Sequence, residues 1–287
     1  MRRSKFPKPI AIAPWMWLAC STAPPTPGPA LQPTASGPSV APAAVASAPH
    51  DAPPSVSLSS SPAQGIGLGS MKGVVRFAGT PPKMRVPKDR YLTDFCKSEP
   101  IPSNAVIVED GGLVDTFVAL EAGSVPGPWP PRQEWVELDE VHCMHLPRIQ
   151  GLVVGQEVHV VNQDPTLHNV HAYRGSETLF NFAQPKGAAP VEKRFDDPGI
   201  IRFTSDVYPW IRSFVIVMDH PFFTVSGARG AFRIDRVPEG RYTLLAWHAR
   251  YGKKTQTIEI RAGEPITVTF TYDGKEPAPP DNPSEPG

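Results

Sequence analysis

An all-β fold, built as β-sandwiches between two disordered ends, is the class this sequence predicts, and three observations predict it. Pro and Gly, 37 and 23 of 287 residues, punctuate the chain between short apolar runs, as turns do between strands. Between 69 and 273 no stretch holds a helical apolar period for more than about three turns. The runs themselves are β-branched or aromatic and alternate, which is the pattern of half-buried strands.

The N-terminal end comes first. Arg2, Arg3, Lys5 and Lys8 precede the apolar "PIAIAPWMWLA" and then Cys20, the layout of an export signal over 1–19. The apolar run is too short to span a bilayer and holds two prolines. Leu18-Ala19-Cys20 followed by "STAPPTPGPA" resembles a bacterial lipoprotein signal. That resemblance implies lipidation of Cys20 and a membrane anchor on the periplasmic or cell-surface side; plain secretion after cleavage past Ala19 is the alternative. Residues 20–68 then read as a disordered tether, since 21–64 hold eleven prolines and a single charged residue, Asp51, and too little apolar side chain to offset ordering entropy. The Pro-rich tail 274–287 reads the same way.

Charge and cysteines narrow the partners. Lys plus Arg and Asp plus Glu number 28 each, with no basic cluster beyond the signal, so nucleic acid is excluded as an expected partner. With Cys20 taken by lipid, Cys96 and Cys143 remain in an exported domain and are expected to form a disulfide. Two reduced thiols ligating a metal are the alternative.

Along the folded body the expected strands are "GVVRFAG", "NAVIVE", "DTFVALE", "EWVEL", "EVHVVN", "IIRFTS", "SFVIVM", "GAFRID", "YTLLAWH", "TQTIEI" and "ITVTFTY", so many short strands that a sandwich follows. They are divided into a domain over 69–220 and a compact antiparallel module over 221–273. The module resembles the carboxypeptidase regulatory-like, transthyretin-like family at Gly230, Phe232, Val237, Pro238, Gly240, Tyr242 and Leu244. The resemblance implies a small β-sandwich without catalytic residues, completed or not by strands from 72–123.

The chemistry-bearing motif is "VNQDPTLHNVHA" over 161–172, which delivers His168 to the start of an extended segment, together with the loop "TSDVYPWI" over 204–211. His168-Asn169-Val170-His171 and this loop resemble the cupredoxins, amicyanin-like ones in particular. In that family the first copper ligand is the His at position 168 and the others lie in a Cys-x-x-His-x-x-Met loop. The resemblance places Ser205, Tyr208 and Ile211 at the Cys, His and Met positions. A blue-copper site depends on a thiolate with two imidazoles and a weak axial ligand; a serine hydroxyl is no thiolate and Ile211 has no donor. His168 is therefore expected buried, beside the 205–211 loop, its imidazole bonded to the Tyr208 hydroxyl.

No cofactor is expected. The alternative is copper or another divalent ion held by His168 with non-family ligands such as Tyr208 and Asp206 or His145, for which three donors must converge. His171 lies an odd separation from His168, and His142 from His145, so each pair straddles its strand. His159, His220 and His248 are expected as surface or hydrogen-bonded residues. Asp139-Glu140 and Asp196-Asp197 read as solvated turn charges. No nucleophile elbow, phosphate loop or zincin motif is present in the sequence. The function expected is that of an exported, lipid-anchored, non-enzymatic binding or structural protein with a protein or carbohydrate partner.

Overall fold

The computed structural model describes residues 67–83, 94–99, 103–280 and 282; the signal, Cys20 and almost all of the expected tether lie outside the described residues. The fold class is as the sequence predicts, nearly all β. The first strands are β1 (Leu68–Phe77), β2 (Val108–Glu109), β3 (Gly112–Leu113) and β4 (Thr116–Leu120), with a short helix α1 (Asp94–Ser98) between β1 and β2. The next are β5 (Val136–Val141), β6 (Met144–Leu146), β7 (Ile149–Val153), β8 (Glu157–Asn162), β9 (His168–Arg174), β10 (Glu177–Gln184), β11 (Val191–Arg194), β12 (Gly199–Thr204) and β13 (Arg212–Met218). The last are β14 (Phe223–Val225), β15 (Ala231–Pro238), β16 (Gly240–His248), β17 (Gly252–Ile260) and β18 (Pro265–Tyr272).

These strands form four sheets, β15-β1-β3-β2 with β18 also on β1, β14-β4-β16-β17, β10-β9-β12-β13-β7 and β11-β8-β5-β6. The domain expected over 69–220 does not contain its first strands. β1 runs antiparallel to β15 and parallel to β18, from Ser70 opposite Pro265 to Phe77 opposite Tyr272, and β4 pairs with β14 and β16. One sandwich therefore combines 68–120 with 223–272 around Met71, Val75, Leu120, Leu244 and Phe270. The other is 136–218, around Leu138, Val160, Val170, Phe203 and Val215.

A third apolar layer, of Phe117, Ala119, Ile149, Phe214, Ile216, Met218, Trp247 and Ala249, joins the two sandwiches. β4 and β13 consequently bury both faces, which is why "TFVAL" and "SFVIVM" are continuous apolar runs. In β13, Val215 and Val217 point into the 136–218 core while Phe214, Ile216 and Met218 point at the joint. Gly151 of β7 lies here too. A Cβ on it would fall 2.4 Å from the Phe223 ring and 2.8 Å from the Phe117 ring, so glycine lets the layers close.

The tail expected to be disordered from 274 is docked as far as it is described. Glu276 pairs with Lys254 at 2.7 Å. Buried Asn282 accepts from Arg212 at 2.6 Å and donates to the Ala249 carbonyl at 2.8 Å. Proline prevents a helix or strand there, but one amide side chain with two partners is enough to hold an extended chain.

Candidate functional site

The site lies at one end of the 136–218 sandwich and begins with a two-residue hairpin. β5 and β6 pair with Val141 opposite Met144, and the turn residues His142 and Cys143 have φ of 52° and 56°. Such a turn favours Asn-Gly. Here the backbone is held from outside. Asp164 accepts from the His142 and Cys143 N–H groups, both at 2.8 Å, and Cys143 is bonded to Cys96 of α1, S–S 2.02 Å and Cα–Cα 5.7 Å.

The "NQDPTLH" turn is held by Asn162. Its amide donates to the Thr166 and Gln184 carbonyls at 2.9 and 2.8 Å, and its oxygen accepts from the Asp164 N–H at 2.9 Å. This fixes the entry of His168 into β9. His168 is fully buried, as expected, and its Nε2 meets Asp164 Oδ2 at 2.8 Å. Burial raises the Asp164 pKa, but the hydrogen bonds from His168, Cys143 and His142 outweigh it and hold the carboxyl below its ordinary value. Asp164 is thus ionised, and Nε2 of His168 carries the proton it donates.

The loop 205–211 closes over this end. Ser205 Oγ accepts from the Val207 and Tyr208 N–H groups at 3.2 and 3.1 Å. The Tyr208 ring stands edge-on to His168, centroids 5.2 Å apart, beside Trp210 at 5.3 Å. Trp210 Nε1 donates to the Cys143 carbonyl at 2.9 Å. Tyr208, Ile211 and the Cys96–Cys143 bridge form one buried cluster with Phe95, Met144 and Trp210 around it. The Tyr208 hydroxyl does not bond His168, as the sequence led one to expect; it donates to the Leu167 carbonyl at 3.1 Å. The imidazole nitrogen facing Asp164 is already taken, and a carbonyl next door competes for the hydroxyl.

Copper bound by a thiolate does not fit these residues. Donor atoms of Cys143, Asp164 and His168 lie within 4.8 Å of one another, but the sulfur is spent in the disulfide. Ser205 and Tyr208 have their oxygens in use and Ile211 has none. Nor does the set His168, Tyr208 and Asp206 assemble. Asp206 bonds His171 at 2.9 Å on the outward side of β9, with Tyr173 and Asn181 on the same imidazole at 2.8 and 3.2 Å.

The residue missed by sequence reasoning is Glu140, read above as a solvated turn charge. It is fully buried, directly opposite His145 across the hairpin. Its Oε1 lies 3.5 Å from His145 Nε2 and 3.9 Å from His168 Nδ1, too far for hydrogen bonds. Burial pushes its carboxyl up to about 7, with His168 pulling it down and Asp164 pushing it further up. Burial, then the neighbouring His168, holds His145 down at about 3. A signal did exist, because in "VELDEV" Glu140 shares its strand face with buried Leu138.

A second group, Glu157, His159 and Glu192, lies at the surface. Its Glu157 is taken by Arg194, with Nε–Oε1 3.0 Å, and its His159 stacks on Trp135 at 4.9 Å. This matches the surface role expected for His159.

Residues 198–268 match the family model described as polysaccharide lyase family 4, domain II, a span from β12 into β18. No curated protein matches the chain. Among solved structures it is similar to a reduced amicyanin variant, at 19% identity over 33% of this chain and 96% of that one with a TM-score of 0.27. It is also similar to amicyanin from Paracoccus versutus, at 18% over 35% and 96% with a TM-score of 0.27. A purple cupredoxin from Nitrosopumilus maritimus is similar at 18% over 29% and 98%, with a TM-score of 0.25.

Proposed function

We propose that this protein is an exported, lipid-anchored, non-enzymatic binding or structural protein whose 136–218 sandwich is cupredoxin-like and has given up blue-copper chemistry. The observation that carries the proposal is the packing of Tyr208 and Ile211, both 1% exposed, against the Cys96–Cys143 bridge where a copper loop presents donors. The His168 motif and the loop spacing support the cupredoxin-like part, and the 5.2 Å approach of Tyr208 to His168 agrees with it. Without a thiolate there is no covalent copper–sulfur bond and no fast electron carrier of that type.

The partner we propose is a carbohydrate or a protein, with the membrane engaged through Cys20. The likeness of 198–268 to a domain named for polysaccharide lyases supports the carbohydrate; it concerns a domain, and no lyase chemistry is drawn from it. The test is to load the purified chain with Cu(II) and record its visible spectrum. No intense thiolate-to-copper band is expected, and its appearance would overturn the closed-loop reading.

A further inference from the structure

We propose that Glu140 is a proton-operated latch at the site end of the 136–218 sandwich: it is held as a neutral acid that donates to His145, and loss of that proton loosens the β5–β6 turn and the 205–211 loop. Among the described residues, Glu140 Oε1 and Oε2, His145 Nε2 and His168 Nδ1 are all buried without a hydrogen-bond partner. They come from β5, from β6 directly opposite, and from the head of β9 in the facing sheet. A buried carboxylate with neither oxygen satisfied is costly, and a proton removes its charge.

His168 donates Nε2–H to Asp164 at 2.8 Å, which in the neutral ring leaves Nδ1 an acceptor 3.9 Å from Glu140 Oε1. His145 Nδ1 meets Ser213 Oγ at 3.2 Å; donation there leaves Nε2 a lone pair 3.5 Å from the same oxygen. The groups around Glu140 then lack a donor, and one proton supplies it. An O–H donated across the shorter gap draws His145 toward ordinary hydrogen-bond distance. The other titratable groups nearby are engaged elsewhere: Tyr208 with the Leu167 carbonyl, His142 with Glu99 and Asp139 with Gln163. Burial, opposed by His168 and reinforced by Asp164, pushes the Glu140 carboxyl up to about 7, in agreement with this geometry.

The effect of the proton is relayed by Asp164. Its carboxylate accepts from the His142 and Cys143 N–H groups, both at 2.8 Å, and the Cys143 carbonyl holds the Trp210 indole at 2.9 Å. An ionised Glu140 repels that carboxylate, so the turn and, through Trp210, the loop loosen together. An unfolded glutamate releases its proton near 4.3. Between about 4.3 and 7 the folded chain therefore holds a proton that the unfolded chain has lost. The stability Glu140 contributes is complete below about 4.3 and is lost as pH rises through about 7. This inference rests on the closed-loop reading, in which His168 carries no metal.

The experiment uses the full chain, with its metal content measured first. The infrared carbonyl band of a protonated carboxyl is expected at about pH 6, fading with a midpoint of about 7, and Glu140→Gln should lack that band. Amide exchange at His142, Cys143 and 205–211, corrected for its intrinsic pH dependence, should quicken at least about tenfold in the wild type between about pH 6 and 8.5. It should stay level in Glu140→Gln, whose amide keeps a donor and has no charge to gain. A band that Glu140→Gln retains, an imidazolium signal at His168 beside an ionised Glu140, or exchange that quickens equally in the variant overturns the proposal. Should the variant fail to fold, the wild type decides. The acid band and the His145 Nε2 nitrogen resonance moving with one midpoint support the latch, and separate midpoints overturn it. An ion retained at His168 would sink the closed-loop reading together with this proposal, whereas a metal-free chain without the acid band sinks this proposal alone.

Discussion

Tyr208 puts a ring and a hydroxyl where the cupredoxin resemblance implies an imidazole, and the hydroxyl must then find an acceptor away from water. It finds the Leu167 carbonyl. Tyr208→Phe should therefore cost about 1 kcal/mol, the usual net value of one hydrogen bond. Urea unfolding measures it, and an unchanged midpoint would show that the bond contributes nothing. His248, also a residue buried by its neighbours, is a second test. Burial, then Arg148 and Arg250, against an opposing Glu276, holds its pKa down at about 3. An unfolded histidine takes a proton near 6.5, so between about 6.5 and 3 the unfolded chain binds more protons. The stability His248 contributes is complete above about 6.5 and is lost as pH falls, by up to about 1.4 kcal/mol per pH unit. His248→Gln should flatten the unfolding free energy between about pH 6.5 and 5; equal slopes in the two proteins would contradict this.

Strands differ in how much of themselves they write into the sequence. β8 and β16 alternate and were expected, and β4 and β13 were expected as half-buried alternating strands but bury both faces. β3, β6, β7, β10, β11 and β14 were not in the expected set, and β9 was expected only as an extended segment opening at His168. "EKR" and "HNVHAYR" carry few apolar residues because one of their faces meets solvent or other polar side chains. "NAVIVE" yields only Val108–Glu109 as strand. At β7 the packing is testable. Gly151→Ala puts a methyl group against the Phe117 and Phe223 rings, and overpacking of this kind costs about 1–3 kcal/mol. A thermal midpoint equal to wild type would mean that the rings move aside freely.

At the scale of the molecule, two sandwiches share one apolar joint, and the C-terminal segment crosses it. Asn282 touches Arg212 of the 136–218 sandwich and Ala249 of the other. Asn282→Ala removes both bonds and should lower stability by about 1–3 kcal/mol, with ending the chain after 273 having at least that effect. Amide exchange at Ala249 and the neighbouring β16 end should quicken in parallel; protection equal to wild type would show the tail to be a passenger.

Class, turn positions, the Cys96–Cys143 pairing and the meeting of His168 with the 205–211 loop were legible because each rests on local alternation, on turn residues or on a two-member choice. The parallel partnership of β1 with β18 was not, since 195 residues separate Val75 from its register partner Phe270 and strands of one period pair equally well on paper. Nor was the burial of Glu140. Period two puts Glu140 on the inner face, but a carboxylate stays buried only where other elements supply its company. That company, His145 across the hairpin and His168 from the facing sheet, exists only once the two sheets have closed on each other.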